Sequence, residues 1–399
     1  MAIKEGWNIK PLGDVGTFQR GGNFLKNDFV SSGYPCIHYG QIHMKFGAVT
    51  TKHLTCIPEV LAMSKAKIAK KGDLIIAITS EDVEGSCKST AWMGDYDIAI
   101  GAHAAIYHHT LNPIFVSYYF QSPQFNKAKE AFTHGFKVVE IRPADIAKIP
   151  VAYPSPTEQQ RIVDILDAEF AKIDALKANA EQNMQNAQDL FQAALRKELE
   201  PKKGWKTYTL QEASTDSGQY GMSVSSKTFD GIRYLRITDI TEDGELNDDA
   251  VSADIDVVDD KYMLREGDIL FARTGATVGK TLVYNSSMGR CSFAGYLIRY
   301  RPNTEIVLPR ILYYVTHSSN YYKWVWESQR QSTLPNISAK LYNEYLITVP
   351  TTSEQHTIIA ELDELNTKCK SLQDNYTQTL ALCDDLKQAL LRKAFNGEL

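Results

Sequence analysis

The stretch TEQQRIVDILDAEFAKIDALKANAEQNMQNAQDLFQAALRKEL, residues 157–199, decides the fold, because the chain carries it twice. The second copy, SEQHTIIAELDELNTKCKSLQDNYTQTLALCDDLKQALLRKAF, occupies residues 353–395. Three groups of residues match at one constant offset: Glu158-Gln159 with Glu354-Gln355, Leu166-Asp167 with Leu362-Asp363, and Leu195-Arg196-Lys197 with Leu391-Arg392-Lys393. The constant offset indicates an internal repeat without insertions.

Both copies have the apolar periodicity of one long helix with a coiled-coil seam. In the first copy the seam residues are Ile162, Leu166, Phe170, Ile173, Leu176, Ala180, Met184, Ala187, Phe191 and Leu195. In the second copy they are Leu362, Leu365, Cys369, Leu372, Tyr376, Cys383, Leu386 and Leu390, with an interruption at Thr379. An apolar seam is unstable in water, so we expect each helix to pack against the other. An antiparallel pair about a pseudo-twofold axis is the simplest arrangement.

The segments that precede the two helices also repeat. Gly6-Trp7 pairs with Gly204-Trp205, residues 33–42 pair with 231–240, and residues 71–77 pair with 265–272. Each repeat is therefore a globular domain followed by a long helix. Composition and turn signals predict strands at residues 36–39, 74–79, 98–108, 234–237, 269–273 and 296–300, with one helix per domain near 114–120 and 309–318.

The predicted fold class is α+β, with two similar globular domains and two long antiparallel coiled-coil helices in a pseudo-twofold tandem repeat. The predicted boundaries are 1–156 for the first globular domain, 157–200 for the first helix, 201–352 for the second globular domain and 353–399 for the second helix. Thr157 and Gln160 are predicted to form a capping box at the start of the first helix.

Composition indicates a cytoplasmic protein. No apolar run is long enough to span a membrane, and no charged and then apolar leader opens the sequence. The six cysteines include no CxxC pair, so we interpret them as reduced, mostly structural thiols. The net charge of −5 is concentrated on the long helices, which leaves residues 1–156 with a basic surplus. Acidic residues also crowd into 239–268, which we interpret as a solvated loop or strand edge.

Three features suggest catalysis or metal binding, and none has the required spacing. Residues 275–281 resemble a phosphate-binding loop, but three residues stand where the motif needs four, and a strand-like segment follows in place of a helix. Residues 112–115 resemble the signature of amino-methyltransferases but lack its second proline and a glycine-rich cofactor loop. The histidines of the first domain do not have zinc-site spacing. We therefore expect no catalytic residue, metal site or cofactor site in this chain.

Polar, aromatic and basic loops occur at matching places in the two globular domains. Arg, Lys, Gln and Asn side chains pair with base edges, whereas Gly, Ser and Thr let the backbone approach phosphate. The predicted DNA-contacting residues are Arg20, Asn23, Lys26, Gln41, His43, Lys45 and Lys137 in the first domain, and Gln219, Tyr220, Ser223, Arg236, Arg273, Thr274, Thr277, Lys280, Gln329, Arg330 and Gln331 in the second. We expect the loop 273–280 to contact phosphate. A scaffold with two binding domains and no DNA ligand remains an alternative.

This layout resembles the specificity subunit of type I restriction-modification enzymes over the whole chain. The resemblance is carried by the Pro-x-x-x-Glu-Gln-x-x-Ile helix entries at 154–162 and 350–358, the Gly-Asp pairs at 72–73 and 267–268, the loop 273–280 and the Leu-Arg-Lys helix ends. The first domain departs from the pattern at residues 79–88, which are acidic where the second domain has the basic loop.

The resemblance implies that each globular domain is a target-recognition domain that reads one half of a gapped, asymmetric site on double-stranded DNA. It implies that the long helices are spacers that fix the gap and dock two methyltransferase subunits, which restriction subunits then join. The sites for S-adenosylmethionine, ATP and Mg²⁺ would belong to those partner subunits. The chain itself would be a non-catalytic subunit.

Overall fold

The computed structural model describes residues 4–133, 139–329 and 335–399. The chain divides into two compact units. Unit 1 comprises residues 1–181 and 377–399, and unit 2 comprises residues 182–376. Each unit therefore contains one globular part and a segment of both long helices.

The first long helix is Pro156–Glu198 and the second is Thr352–Asn396. The predicted capping box of Thr157 and Gln160 is wrong. The helix begins one residue earlier, at a proline that needs no N–H partner, and the Ser155 hydroxyl accepts the Glu158 N–H at 3.4 Å. The Gln160 side chain bonds instead to Asn112 and Asp164, each at 2.8 Å.

Within unit 1 the two long helices run antiparallel. Lys177 of the first helix pairs with Asp384 of the second at 2.6 Å, and Asp174 of the first pairs with Lys387 of the second. An earlier residue of one helix therefore meets a later residue of the other. This confirms for unit 1 that the second copy is the packing partner of the first.

The predicted seam is confirmed by the buried residues Ile162, Leu166, Ile173, Ala180, Ala187 and Leu195 of the first helix and Leu362, Cys369 and Cys383 of the second, but it is wrong at three leucines. Leu176, Leu372 and Leu386 are 49%, 42% and 49% exposed. In unit 1 the side chains of Lys177 and Lys387, one residue further along, are only 27% and 26% exposed. Their aliphatic stems cover the seam while their ammonium groups reach carboxylates on the opposite helix. A lysine in the seam was not predictable from apolar periodicity alone.

The globular part of unit 1 contains two larger sheets and two strand pairs. The five-stranded sheet has the order Gly16–Arg20, Ala104–His109, Leu74–Ala77, Ser89–Trp92 and Val49–Thr50, and the four-stranded sheet has the order Thr55–Ile57, Tyr34–Ile37, Ile98–Ile100 and Lys67–Ala69. The pairs are Asn8–Pro11 with Pro150–Tyr153, and Thr79–Ser80 with Val139–Glu140. The α-helices are Leu12–Val15, Tyr39–Met44, Glu59–Lys65, Pro113–Gln121, Pro123–Lys129 and Pro143–Ile146, and the 3₁₀ turns are Lys26–Asp28 and Glu130–Phe132.

Unit 2 repeats this frame with fewer strand residues. Its four-stranded sheet has the order Gln219–Tyr220, Leu297–Tyr300, Ile269–Ala272 and Thr281–Val283. The strand pairs are Lys206–Thr209 with Leu346–Val349, Ser226–Thr228 with Val251–Ala253, and Arg233–Leu235 with Cys291–Phe293. The α-helices are Pro309–Thr316, Ser319–Gln329 and Ala339–Asn343, and the 3₁₀ turns are Asp260–Tyr262, Gly275–Thr277 and Ser286–Met288.

The α+β class is confirmed, with three local corrections. The predicted strand 98–108 is two strands in different sheets, because His103 at φ +64° turns the backbone between them. Each globular part has more than the one predicted helix, since Pro123–Lys129 follows the first helix of unit 1 and Ser319–Gln329 follows the first helix of unit 2. Gln41 and His43, which were predicted to lie in a loop, belong to the helix Tyr39–Met44, which the side chain of His38 caps.

Repeated residues of the sequence attach each globular part to a long helix. Buried Gln159 accepts the Asn112 N–H at 2.8 Å, and buried Gln355 accepts the Leu308 N–H at 2.8 Å. A tyrosine hydroxyl of each globular part also donates a hydrogen bond to an aspartate of a long helix. The matching pairs are Tyr118 with Asp167 in unit 1 and Tyr314 with Asp363 in unit 2. The repeated Glu-Gln and Leu-Asp pairs are therefore attachment points.

The end of the second long helix completes the core of unit 1. The ring of Phe395 is buried, and its centroid lies 5.0 Å from that of Phe115 and 5.4 Å from that of Tyr119. Leu391 and Ala394 are buried in the same cluster. The core of unit 1 thus joins residues that are far apart in the sequence.

We expect Phe395→Ala to destabilise unit 1 by about 3–5 kcal/mol, because truncation of a buried ring loses its burial and leaves a cavity. Leu382→Ala on the same helix is the matched control. Its side chain is 65% exposed, so its loss should cost less than about 0.5 kcal/mol. Urea denaturation measures both variants. Equal costs would show that the helix end is not part of the core.

Candidate nucleic-acid interface

Four backbone segments meet at one corner of each unit. In unit 1 they are residues 20–23, 38–41, 78–80 and 101–103, which we call corner 1. In unit 2 the matching segments are residues 220–223, 236–239, 273–275 and 294–296, which we call corner 2. Most of the residues predicted to contact DNA lie on these segments or beside them.

Matching hydrogen bonds build the two corners. The Ile78 N–H donates to the His103 carbonyl at 3.0 Å, and the Arg273 N–H donates to the Tyr296 carbonyl at 3.0 Å. The turn at residues 38–41 is closed by the His38 N–H on the Gln41 side chain at 3.0 Å. The turn at 236–239 is closed in the same way by the Asp239 carboxylate at 2.8 Å. One backbone frame therefore carries two different sets of side chains.

A glycine is required at the same place in both corners. A Cβ on Gly21 would lie 2.1 Å from the Gly101 carbonyl oxygen, and one on Gly221 would lie 2.3 Å from the Phe293 carbonyl oxygen. Both distances are far below van der Waals contact. These glycines let the first segment of each corner lie directly against the tight turn of the last segment.

Corner 1 presents a group of aromatic and imidazole rings. The ring centroid of Tyr39 lies 6.1 Å from that of His43 and 5.3 Å from that of His103. His38 is buried behind them. Its burial, together with the charges of Lys26 and His103, lowers the pKa of His38 to about 4. The face of corner 1 therefore combines flat rings with the exposed charge of Lys26.

Several predicted residues of unit 1 already have protein partners. Arg20 pairs with Glu140 at 3.0 Å. The Gln41 amide, besides closing its turn, donates to the Thr55 hydroxyl at 3.1 Å, and a His43 ring nitrogen lies 3.0 Å from the Thr79 carbonyl. A second group is exposed at or near the corner: Asn23, Lys26 and Lys45. Lys137 lies outside the described residues.

Corner 2 encloses a groove of about 660 Å³. The structure brings three predicted residues together along this groove, namely Ser223, Arg236 and Arg273. The guanidinium carbon of Arg273 lies 4.9 Å from the ring centroid of Tyr220. The predicted Gln219 is beside the groove but accepts a hydrogen bond from Arg299.

Two of the basic residues of unit 2 that were predicted to contact DNA form ion pairs with carboxylates. Lys280 pairs with Glu242 at 2.8 Å, and its side chain is only 15% exposed. Arg236 is bound by Asp239 and Asp249, and these hydrogen bonds raise the pKa of its guanidinium, the bond to Asp239 contributing most. Some acidic residues of the segment 239–268 therefore pair with these basic side chains and do not only face solvent.

Three further predicted residues of unit 2, namely Thr274, Thr277 and Gln329, do not line the groove. The Thr274 hydroxyl donates to the Pro335 carbonyl at 3.3 Å, and the Thr277 hydroxyl donates to the Thr274 carbonyl at 3.4 Å. Both hydroxyls are thus held within the loop. Gln329 is the last residue of its helix. Arg330 and Gln331 lie outside the described residues.

Comparison with known proteins decides the family. Residues 4–184 and 202–380 each match the type I restriction modification DNA specificity domain. The chain belongs to this family. It is a specificity subunit of a type I restriction-modification system, a non-catalytic component, and its two globular parts are DNA target-recognition domains. The scaffold without a DNA ligand is therefore not favoured.

Individual relatives agree with this assignment. The specificity subunit of the type I restriction enzyme StySPI from Salmonella potsdam is 24% identical, with 100% of this chain and 90% of that protein covered. A structure solved to explain complex assembly and conformational transition of the type I R-M system has a TM-score of 0.79, 22% identity and complete coverage of both chains. The HsdS subunit from Thermoanaerobacter tengcongensis has a TM-score of 0.54 at 20% identity, covering 100% and 99% of the two chains.

Two further residues at the corners were not among those predicted from the sequence to contact DNA. His103 and Tyr296 occupy the same place in the tight turn of corner 1 and corner 2, and Tyr296 is 60% exposed. His103 was counted only among the histidines that lack zinc spacing. Both residues lay in segments predicted as strands, which hid the turn. The signal that could have found them is a nearby glycine, Gly101 two residues before His103 and Gly295 directly before Tyr296, since glycine marks turns.

The described residues offer little else that suggests a ligand site. No group of three His, Cys, Asp or Glu residues among them could hold a metal ion. No helix in the described part of the chain is long and apolar enough to cross a membrane. All six cysteines are free thiols, as predicted.

We expect Glu242→Gln to raise the affinity of the assembled complex for nonspecific duplex DNA by up to about fivefold, because it frees Lys280 from an ion pair with an exposed carboxylate, worth at most about 1 kcal/mol. Asp256→Asn is the control, since it changes the net charge equally in the same acidic stretch without contacting Lys280. Fluorescence anisotropy at fixed salt measures both. Equal gains would mean that only overall charge matters, and that the ion pair does not compete with DNA.

Proposed function

We propose that this chain reads a bipartite, gapped site on double-stranded DNA, with corner 1 on one half-site and corner 2 on the other. The observation that carries the proposal is the common backbone frame with different side chains. A common frame approaches DNA in one way, whereas different donors, acceptors and rings select different bases. The two half-sites should therefore differ in sequence.

The chemistry of the corners supports direct contact with DNA. Corner 1 combines Tyr39, His43 and His103 with Lys26, and corner 2 combines Tyr296 with the guanidinium of Arg273. Rings can contact thymine methyl groups and base faces, and cations bind phosphate oxygens or guanine. The other predicted residues would act mainly on the DNA backbone.

We further propose that the two long helices fix the gap and dock two methyltransferase subunits, which restriction subunits join in the cytoplasm. The division 1–156, 157–200, 201–352 and 353–399 would then separate two target-recognition domains from two spacer helices. Each long helix continues from one unit into the other, which supports a spacer role. S-adenosylmethionine, ATP and Mg²⁺ would bind to the partner subunits.

The assembled complex tests which unit reads which half-site. We expect duplexes selected from a random pool to share two short sequences at a fixed separation. The double variant Tyr39→Ala, His103→Ala should change or relax one of these sequences and leave the other intact. Tyr96→Ala is the matched control, because this exposed tyrosine of unit 1 packs on His53 and not on the corner. Sequencing of the bound fraction gives the result.

Three outcomes would count against the proposal. Selection of no bipartite sequence by the unaltered complex would show that the corners do not recognise DNA in this way. A change of both half-sites by the corner 1 variant would show that recognition is not divided between the units. A change caused by the Tyr96 control would place recognition outside corner 1.

We expect longer helices to lengthen the gap. Duplicating residues 175–181 and 370–376 adds one heptad to each helix, which preserves the seam and adds about 10.5 Å, or about three base pairs of rise. The selected half-site sequences should stay the same while the gap between them grows. Circular dichroism checks that the added residues are helical. An unchanged gap in a helical variant would contradict the spacer role.

A further inference from the structure

The Arg273 side chain is held in one orientation. Its guanidinium carbon lies 4.9 Å from the ring centroid of Tyr220, and its Nε donates to the Asn336 Oδ1 at 3.3 Å. Its backbone is fixed on both sides, because its N–H donates to Tyr296 and its carbonyl accepts the Ile337 N–H at 2.8 Å. The plane of the guanidinium is therefore defined before any ligand binds.

The groups that orient Arg273 are themselves fixed. The Tyr220 hydroxyl accepts the Ala339 N–H at 2.9 Å, which anchors the ring beneath the guanidinium. Asn336 forms a backbone bridge with Thr274, next to Arg273 in the chain. Neither support is a carboxylate, so both orient the guanidinium without neutralising its charge.

This arrangement leaves the two terminal nitrogens of the Arg273 guanidinium, a charged fork of N–H donors, available at the groove. Nε is occupied by Asn336, and among the described residues no carboxylate pairs with Arg273. Arg236 and Lys280, by contrast, are both paired with acids. Arg273 lines the groove of corner 2 together with Ser223 and Tyr296.

We infer that Arg273 reads the major-groove edge of a guanine, with its two terminal nitrogens donating to O6 and N7, and that Tyr220 and Asn336 are positioning residues. The inference rests on the proposed function of corner 2. A planar fork matches the two guanine acceptors, and fixing it in advance lowers the entropy lost on binding. A phosphate contact needs only a nearby charge. This inference differs from the expectation from the sequence that the loop 273–280 contacts phosphate.

Corner 1 has different side chains at the positions that match Arg273 and Tyr220. Ile78 stands where corner 2 has Arg273, as the matching bonds to His103 and Tyr296 show. Arg20 stands where corner 2 has Tyr220, but it pairs with the carboxylate of Glu140 at 3.0 Å. The oriented and unneutralised guanidinium is therefore a feature of corner 2. Arg20 offers a matched control in the other unit.

The decisive variant is Arg273→Lys, which keeps the charge and removes the fork. In a random-pool selection with the assembled complex, we expect one half-site to lose a guanine at a single position, with discrimination falling about 10- to 100-fold. Arg20→Lys should leave that half-site unchanged. Thermal unfolding of both variants should match the parent, since each side chain lies at a groove or surface.

The positioning role of Tyr220 has its own test. Tyr220→Phe keeps the ring face but loses the hydroxyl that accepts the Ala339 N–H, so it should keep most of the guanine preference. Tyr220→Leu removes the ring face and should weaken discrimination at the same guanine position by about two- to fivefold. This factor corresponds to the free energy of an exposed cation–π contact. Asn336→Ala should act at that position as well, because it frees Nε.

The outcomes separate this inference from the proposed function. If Arg273→Lys leaves the selected sequence intact, Arg273 contacts phosphate, and the inference is overturned while the bipartite recognition stands. If Tyr220→Phe and Tyr220→Leu behave alike, the ring does not position the guanidinium. If the unaltered complex selects no bipartite site, or if Arg20→Lys changes the same half-site, then the proposed function itself fails.

Discussion

The buried side-chain amides of Gln159 and Gln355 are the contacts on which the architecture depends. Each amide accepts a backbone N–H from its globular part and donates to a proline carbonyl at the entry of its own long helix, at 2.9 Å for Gln159 and 3.0 Å for Gln355. An unsatisfied buried polar group costs about 1–3 kcal/mol, so both bonds must form together. A globular part is thereby attached to its helix in one orientation.

The repeat and the attachment points were accessible from the sequence because they depend on residue identity at fixed spacing. The Glu-Gln pairs, the glycines of the corners and the apolar period of the long helices could all be read directly. The sequence did not show which residues of each long helix face the other helix, because the aliphatic stem of a lysine covers apolar surface as well as a leucine does. Lys177 and Lys387 therefore took the place of Leu176 and Leu386.

The candidate site was predictable only in part. Sequence composition located Arg273, Ser223 and Arg236, which the structure brings to one groove. It did not reveal which cations have carboxylate partners, because Lys280 and Glu242 meet only in the folded unit. It also missed Tyr296, whose turn looked like the start of a strand. Arg273 differs from Arg236 and Lys280 in having no carboxylate partner among the described residues, and this difference depends on contacts in the folded unit rather than on residue type.

The discontinuous composition of unit 1 has a consequence for synthesis on the ribosome. Unit 2 is continuous from residue 182 to 376, so all its segments leave the ribosome in one uninterrupted run. Unit 1 must wait, because Phe115 and Tyr119 cannot bury Phe395 until residues 377–399 emerge. During that interval the apolar surface that Phe395 covers stays exposed, and such surface favours aggregation while a chain is incomplete.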